Sequence, residues 1–308
     1  MAELFACDDP KADLAYLNMR APKREGAARA RANCDELWRD FEPFASAHFL
    51  AEFPFRFHQR WFEMYLAVAL LQAGLEISCP KGNAPDVRVQ LRDGRALWLE
   101  AIAPTGGETG NPDRIVYPPK RQPGEPAVAY RVPIDQVTLR VSGALHDKAK
   151  KIKTYRDRAI IAHDEQALIA INVNRIPHGL YDAERYALGA TYGVGPLTVT
   201  FDRGTAKVVE SGYTHQAELL RSSGNSVDTA PFLHPGLEHV TGALVSSVDA
   251  ANCPRPLGLD FMLLPNPEGA PAYSELQLAI GREWRLHRER DAYRLEVIEH
   301  SRRRGDGV

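Results

Sequence analysis

Two short runs of alternating apolar and polar residues, joined by an Arg-Asp-Gly turn, constrain the fold of this chain more than any other feature. Apolar side chains stand at every second position of both runs, at Val87, Val89, Leu91, Leu97, Leu99 and Ala101. This period is typical of strands that turn one face to a core, and the turn residues make the pair a β-hairpin. The rest of the chain must therefore supply elements that cover a sheet.

The length of the turn decides which residues of the hairpin face each other. A three-residue loop that ends in Gly94 suits the left-handed backbone conformation, and it pairs Leu91 with Arg95. This register collects the apolar side chains on one face and places Asp86 opposite Glu100 on the other. A register shifted by one residue would mix the two sets of side chains. The hydrophobic pattern therefore predicts two adjacent carboxylates.

Directly opposed carboxylates repel each other, and sheets normally avoid them. A divalent cation between Asp86 and Glu100 would remove the repulsion. One or two carboxylates with waters suit Mg²⁺ or Mn²⁺. The alternative is that both acids simply face water.

The remaining patterns predict elements that flank this hairpin. Helices are predicted over 27–41, 57–73, 141–158 and 183–190. Strands are predicted over 75–78, 167–173, 240–248 and 259–264, with a second hairpin over 197–210. The continuous apolar run 167–173 is typical of a central strand that is covered on both faces. The Pro- and Gly-rich stretch 104–133 is predicted to be a long loop, and such loops are usually functional.

Composition limits the partners and the setting of the chain. The 38 Lys and Arg residues nearly balance the 40 Asp and Glu residues, so a polyanion must be met by a local basic patch. The sequence shows no apolar stretch long enough for a membrane span and no signal-peptide pattern, so we expect no membrane association. The widely spaced cysteines indicate a reducing, cytoplasmic setting; they are Cys7, Cys34, Cys79 and Cys253.

Pro85-Asp86, followed after 13 residues by Glu100-Ala101-Ile102, resembles the PD-(D/E)XK motif of restriction-endonuclease-like nucleases. The order of elements also agrees over about residues 55 to 175: a helix carrying an acid, the hairpin, a helix and a buried strand. The resemblance implies an α/β fold, with a mixed central sheet flanked by helices and a restriction-endonuclease-like core. The chain would then comprise a helical arm over 1–50, the core over 51–180 and a C-terminal α+β extension over 181–308.

One position departs from the motif. The family places a lysine two residues after the second acid, where this chain has Ile102. Some members, including a bacterial branch that this chain resembles, supply the lysine from the following helix. Lys148 is the best candidate, because it shares an apolar stripe with Ile152 and Tyr155, where a lysine needs a partner. The alternatives are that Lys148 extends to solvent, or that Gln136 takes the role.

The resemblance implies metal-dependent hydrolysis of phosphodiester bonds. The implied ligands of Mg²⁺ or Mn²⁺ are Asp86, Glu100 and the carbonyl of Ala101. Lys148 would orient the attacking water, and Glu63 on the preceding helix would lie close to the metal. The alternative for Glu63 is an ordinary surface pair with Arg60.

The implied partner is nucleic acid, with DNA favoured over RNA, in bacterial defence or nucleic-acid processing. The candidate phosphate contacts are Arg114, Lys120, Arg121, Arg140 and Lys151. The alternative for these bases is ordinary solvation. A homodimer is compatible with this interpretation. The competing hypothesis is a catalytically inactive domain of the same fold that binds nucleic acid or protein, and the isoleucine at position 102 favours it.

Overall fold

A mixed eight-stranded sheet organises the structure, a computed structural model that describes residues 3–119, 121–126, 128–273, 278–290 and 292–300. The helices are α1 (Leu14–Arg20), α2 (Glu25–Phe41), α3 (Phe49–Glu52), α4 (Phe57–Gln72), α5 (Ile134–Asp157) and α6 (Ala183–Tyr192). The first six strands are β1 (Glu76–Ser78), β2 (Val87–Gln90), β3 (Ala96–Ile102), β4 (Gln166–Asn172), β5 (Val194–Phe201) and β6 (Val208–His215). The others are β7 (Glu218–Leu220), β8 (Ser226–Asp228), β9 (Gly242–Ser246), β10 (Met262–Pro265), β11 (Gly281–Arg288) and β12 (Tyr293–His300).

The strands of the main sheet follow the order β1-β2-β3-β4-β9-β10-β11-β12. Strands β1, β2 and β3 form an antiparallel meander, after which β4 lies parallel to β3 and β9 lies parallel to β4. Strand β10 is antiparallel to β9 and parallel to β11, and β12 closes the far edge antiparallel to β11. The predicted mixed α/β sheet with flanking helices is therefore confirmed.

The predicted register of the first hairpin is also confirmed. Val87 lies opposite Leu99, and the amide of Leu91 donates to the carbonyl of Arg95 at 2.9 Å. Gly94 has a φ of +88°, the left-handed conformation that the three-residue loop requires. Asp86 directly precedes this pairing, and Glu100 directly follows Leu99, the partner of Val87.

Two apolar cores cover the two faces of the sheet. Helix α4 packs on the face that carries Val89 and Leu99, and the N-terminal helices add Tyr16 and Trp38 to the same core. Helices α5 and α6 cover the face that carries Ile169. Complete burial of an aromatic or branched side chain contributes about 1.5–3 kcal/mol, so the segment predicted as an arm over 1–50 stabilises the core directly.

Two features of the fold differ from the sequence prediction. Helix α5 begins at Ile134 instead of Val141, because burial of Val137 outweighs the low helix propensity of this β-branched segment. The region after 264 contains β11 and β12, which continue the main sheet. The inward-facing residues of β11, Trp284 and Leu286, alternate with polar neighbours, a period of two that the sequence prediction overlooked.

The predicted second hairpin forms, as β5 and β6, but it pairs apart from the main sheet. Every residue from Leu197 to His215 is exposed. All four cysteines are free thiols. Among the residues that the structure describes, no helix has the length and apolar character needed to cross a bilayer.

Candidate active site

The side chain of Asp86 binds the backbone of β3 beside the point where β2 begins. Because β2 starts at Val87, no residue of β2 lies opposite Ala101 on that side of β3. Oxygen Oδ2 of Asp86 accepts a hydrogen bond from this amide at 2.7 Å. A side chain therefore continues the pairing between β2 and β3 by one hydrogen bond. This bond fixes the carboxylate beside Glu100.

Gln59 on α4 binds the backbone at the end of β3, at Ala101 and Ala103. Its Nε2 donates to the carbonyl of Ala101 at 3.1 Å, and its Oε1 accepts from the amide of Ala103 at 2.9 Å. The side-chain amide thus binds β3 as the backbone of another strand would. No sequence motif assigns a role to Gln59. Its only signal was a position one turn before Glu63 on an apolar helix.

Glu63 lies in this network and also pairs with Arg60. It is 8% exposed, and its Oε1 accepts from Gln59 Nε2 at 2.9 Å. Its Oε2 lies 2.5 Å from Nη1 of Arg60, which also contacts Glu52. The Arg60–Glu63 pair, which was the alternative to a site role for Glu63, is therefore present. It is largely buried and lies beside the predicted site instead of on an open surface.

Glu100 is held by three side chains of α5. It is 1% exposed, and its Oε1 lies 2.6 Å from Nζ of Lys148 and 2.7 Å from Nζ of Lys151. The hydroxyl of Tyr155 donates to Oε2 at 3.3 Å. Lys148 therefore turns inward to the acid, as the migrated-lysine hypothesis requires, instead of extending to solvent. Lys151, which was predicted to contact a substrate phosphate, contacts the same carboxylate.

The spacing of these residues on α5 explains their convergence. Positions 148, 151 and 155 are separated by three and four residues, so they occupy one face of the helix. That face also carries Ile152, which is buried against the sheet. Packing of the apolar stripe therefore directs the two ammonium groups and the phenol toward the end of β3.

Burial, together with the nearby charges of Glu63 and Glu100, raises the pKa of Asp86 to about 7. The hydrogen bond from Ala101 and the charge of Lys148 oppose this shift. Three acids thus approach each other closely enough for Asp86 to hold a proton near neutral pH. Such a perturbed group in a polar cluster is a functional-site candidate on physical grounds.

This shift predicts how stability depends on pH. A carboxyl that ionises near pH 4 when unfolded and near pH 7 when folded binds more protons in the folded state between these values. The free energy of unfolding should therefore fall as pH rises through this window, by at most about 1.4 kcal/mol per pH unit. The Asp86→Asn variant has no carboxyl that titrates at this position. Denaturant unfolding of both proteins from pH 4 to pH 8 measures the difference, and parallel curves would contradict the prediction.

The other predicted contacts do not join this cluster in the same way. Arg114 is exposed and donates to Thr109, whereas Arg140 donates to the carbonyl of Thr105 at 2.9 Å. Arg121 is exposed, and Lys120 lies outside the described residues. Gln136 is exposed and lies about 18 Å from Lys148 along α5, too far to share its role.

The chemistry of the donors fits a hard divalent cation. Within the described ranges, no group of three or more His, Cys, Asp or Glu side chains is arranged to hold a metal. Mg²⁺, however, is usually bound by one or two carboxylates with waters and substrate oxygens. Asp86 and Glu100 supply two carboxylates, and in the described part of the chain no donor occupies Oδ1 of Asp86. The carbonyl of Ala101 is engaged by Gln59 but keeps a second lone pair.

Comparisons of the chain with protein-family models, with curated proteins and with solved structures found no match. The functional interpretation therefore rests on the sequence motif and on the geometry of these side chains.

Proposed function

We propose that this chain is a metal-dependent nuclease with a restriction-endonuclease-like core, and that it hydrolyses phosphodiester bonds in DNA. One observation carries the proposal: Asp86 accepts a hydrogen bond from the amide of Ala101, the residue after Glu100, and Lys148 of the next helix lies 2.6 Å from Glu100. The order α4, antiparallel β1 to β3, α5 and parallel β4 supports it, because this order accompanies the motif in the resemblance.

In this proposal Asp86, Glu100 and the carbonyl of Ala101 hold Mg²⁺ or Mn²⁺. The bound cation supplies polarisation of a phosphoryl oxygen and a lower pKa for an attacking water. Lys148 orients that water and balances the negative charge that grows on the phosphate. Water adds to phosphorus as the bond to the 3′ oxygen breaks, which leaves a 5′ phosphate and a 3′ hydroxyl. Gln59 holds the end of β3 in place.

The proposed substrate remains nucleic acid, with Arg114, Lys120, Arg121, Arg140 and Lys151 as predicted phosphate contacts. A role in bacterial defence or nucleic-acid processing and a cytoplasmic location belong to the same proposal. The four free thiols support the location, since cysteines stay reduced in the cytosol.

An assay for nuclease activity tests the proposal. The full chain is incubated with single- and double-stranded DNA and RNA, with Mg²⁺, with Mn²⁺ or with EDTA. We expect cleavage with either metal, no cleavage with EDTA, and a loss of at least about 10³-fold in Asp86→Asn. Asp93→Asn is the matched control, because Asp93 lies in the exposed turn of the same hairpin. Metal-independent cleavage, or equal activity in the two variants, would refute the proposed chemistry.

The second candidate is a catalytically inactive domain of the same fold that binds nucleic acid or protein. Two observations favour it: Ile102 replaces the motif lysine, and both oxygens of Glu100 already accept hydrogen bonds. It predicts oligonucleotide binding that weakens with salt and does not require metal. Retention of a labelled duplex in EDTA without cleavage in Mn²⁺ would favour this candidate.

A further inference from the structure

The buried carboxylate of Glu100 has one more cation than its charge requires. Both Lys148 and Lys151 place Nζ within 2.7 Å of the same oxygen, Oε1. A single ammonium group would neutralise this acid. The two ammonium groups repel each other, so the second of them adds less stabilisation than the first.

The two lysines differ in how easily they can leave. The side chain of Lys148 is 16% exposed, whereas that of Lys151 is 45% exposed. Lys151 also lies over the ring of Tyr155, with its Nζ 5.5 Å from the ring centre. A half-exposed lysine can bring its ammonium into water by rotating its long side chain. Lys148 is the more buried of the two.

A divalent cation at Asp86 and Glu100 would compete with these ammonium groups for the same carboxylate. It would bring two further positive charges to the carboxylate that Nζ of Lys151 contacts. We infer that Lys151 is a displaceable counter-ion of Glu100, which weakens metal binding and leaves the carboxylate when the metal enters. The inference rests on the metal site of the proposed function and assigns Lys151 a role in loading that site. The released ammonium is then available to a substrate phosphate.

The test measures Mn²⁺ affinity by isothermal titration calorimetry, without substrate, on the full chain. Lys151→Met keeps the aliphatic stem and removes the charge, so we expect about tenfold tighter binding than in the unaltered protein. Lys151→Arg keeps the charge and should bind Mn²⁺ as weakly as the unaltered protein. Lys150→Met is the matched control on the same helix turn, because the side chain of Lys150 is 81% exposed and faces Asp147.

The outcomes separate this inference from the proposed function. Mn²⁺ binding that is lost in Asp86→Asn but equal in Lys151→Met and Lys150→Met would overturn the inference and leave the metal site intact. Absence of binding that depends on Asp86, in the unaltered protein and in Lys151→Met alike, would overturn both. Tighter binding in Lys151→Met alone, with Lys151→Gln as a second charge-removing variant, would establish the role.

Discussion

Replacing Lys148 with methionine is expected to lower the rate constant for phosphodiester cleavage about a thousandfold. Positioned groups that transfer protons or stabilise developing charge contribute about 10²–10⁴-fold to enzymatic rates. Lys148 is the less exposed of the two ammonium groups at Glu100, and Ile102 leaves no lysine at the usual motif position. Single-turnover cleavage of a labelled substrate at saturating enzyme measures this rate without a contribution from binding.

The fold should survive this substitution, which makes the kinetic result interpretable. Glu100 keeps Lys151 as a counter-ion, and methionine preserves most of the volume that Lys148 occupies. The unfolding midpoint should therefore change little. Lys150→Met is again the control and should cleave at the normal rate. If Lys148→Met remained fully active, the migrated-lysine hypothesis would be wrong even if the chain is a nuclease.

Replacing Glu100 with alanine should instead destabilise the protein by about 3–5 kcal/mol. Removal of one partner from a buried ion pair leaves the other charge uncompensated, and this is the usual cost. Lys148, only 16% exposed, would lose its acid, and its Nζ would remain beside Lys151. Denaturant unfolding at pH 7, monitored by circular dichroism, measures the change in the free energy of unfolding.

A double variant tests whether the uncompensated charge of Lys148 causes this loss. Glu100→Leu combined with Lys148→Met removes both charges and keeps the volume, so it should recover most of the lost stability. Asp157→Ala provides an exposed comparison, since its pair with Lys153 lies at the surface of the same helix and should contribute less than about 1 kcal/mol. The double variant leaves neither charge of this pair uncompensated and keeps the volume, so equal losses in it and in Glu100→Ala would contradict the uncompensated charge as the cause.

The hairpin and the single helices and strands could be predicted from the sequence, because strand period, helix period and turn length depend on residues that are close together in the chain. The period of two in the strands and the three-residue turn ending in Gly94 were sufficient to place Asp86 opposite Glu100. The long apolar helix over 57–73 and the buried strand over 167–173 were also found within a residue or two. Strands β11 and β12 were missed, although Leu295 and Val297 of β12 alternate with charged residues as the apolar residues of the first hairpin do.

The apolar neighbours of Lys148 marked it as a lysine in need of a partner, and the acid 48 residues earlier provides one. Lys151 carried no such signal, because its exposed half resembles any solvated lysine. Even less in the sequence indicated a role for Gln59. Its contacts depend on where β2 ends relative to β3, and no pattern on α4 reports that offset.

The sequence by itself determined the hairpin, its register and the juxtaposition of two acids, because strand period and turn length are local properties. Only the tertiary structure decided what surrounds those acids: Gln59 and Glu63 from α4 on one side, and the two lysines with Tyr155 from α5 on the other. These helices meet at the end of β3 because their apolar faces pack on opposite sides of one sheet. The charge balance at Glu100, on which the proposed metal chemistry depends, is a consequence of that packing.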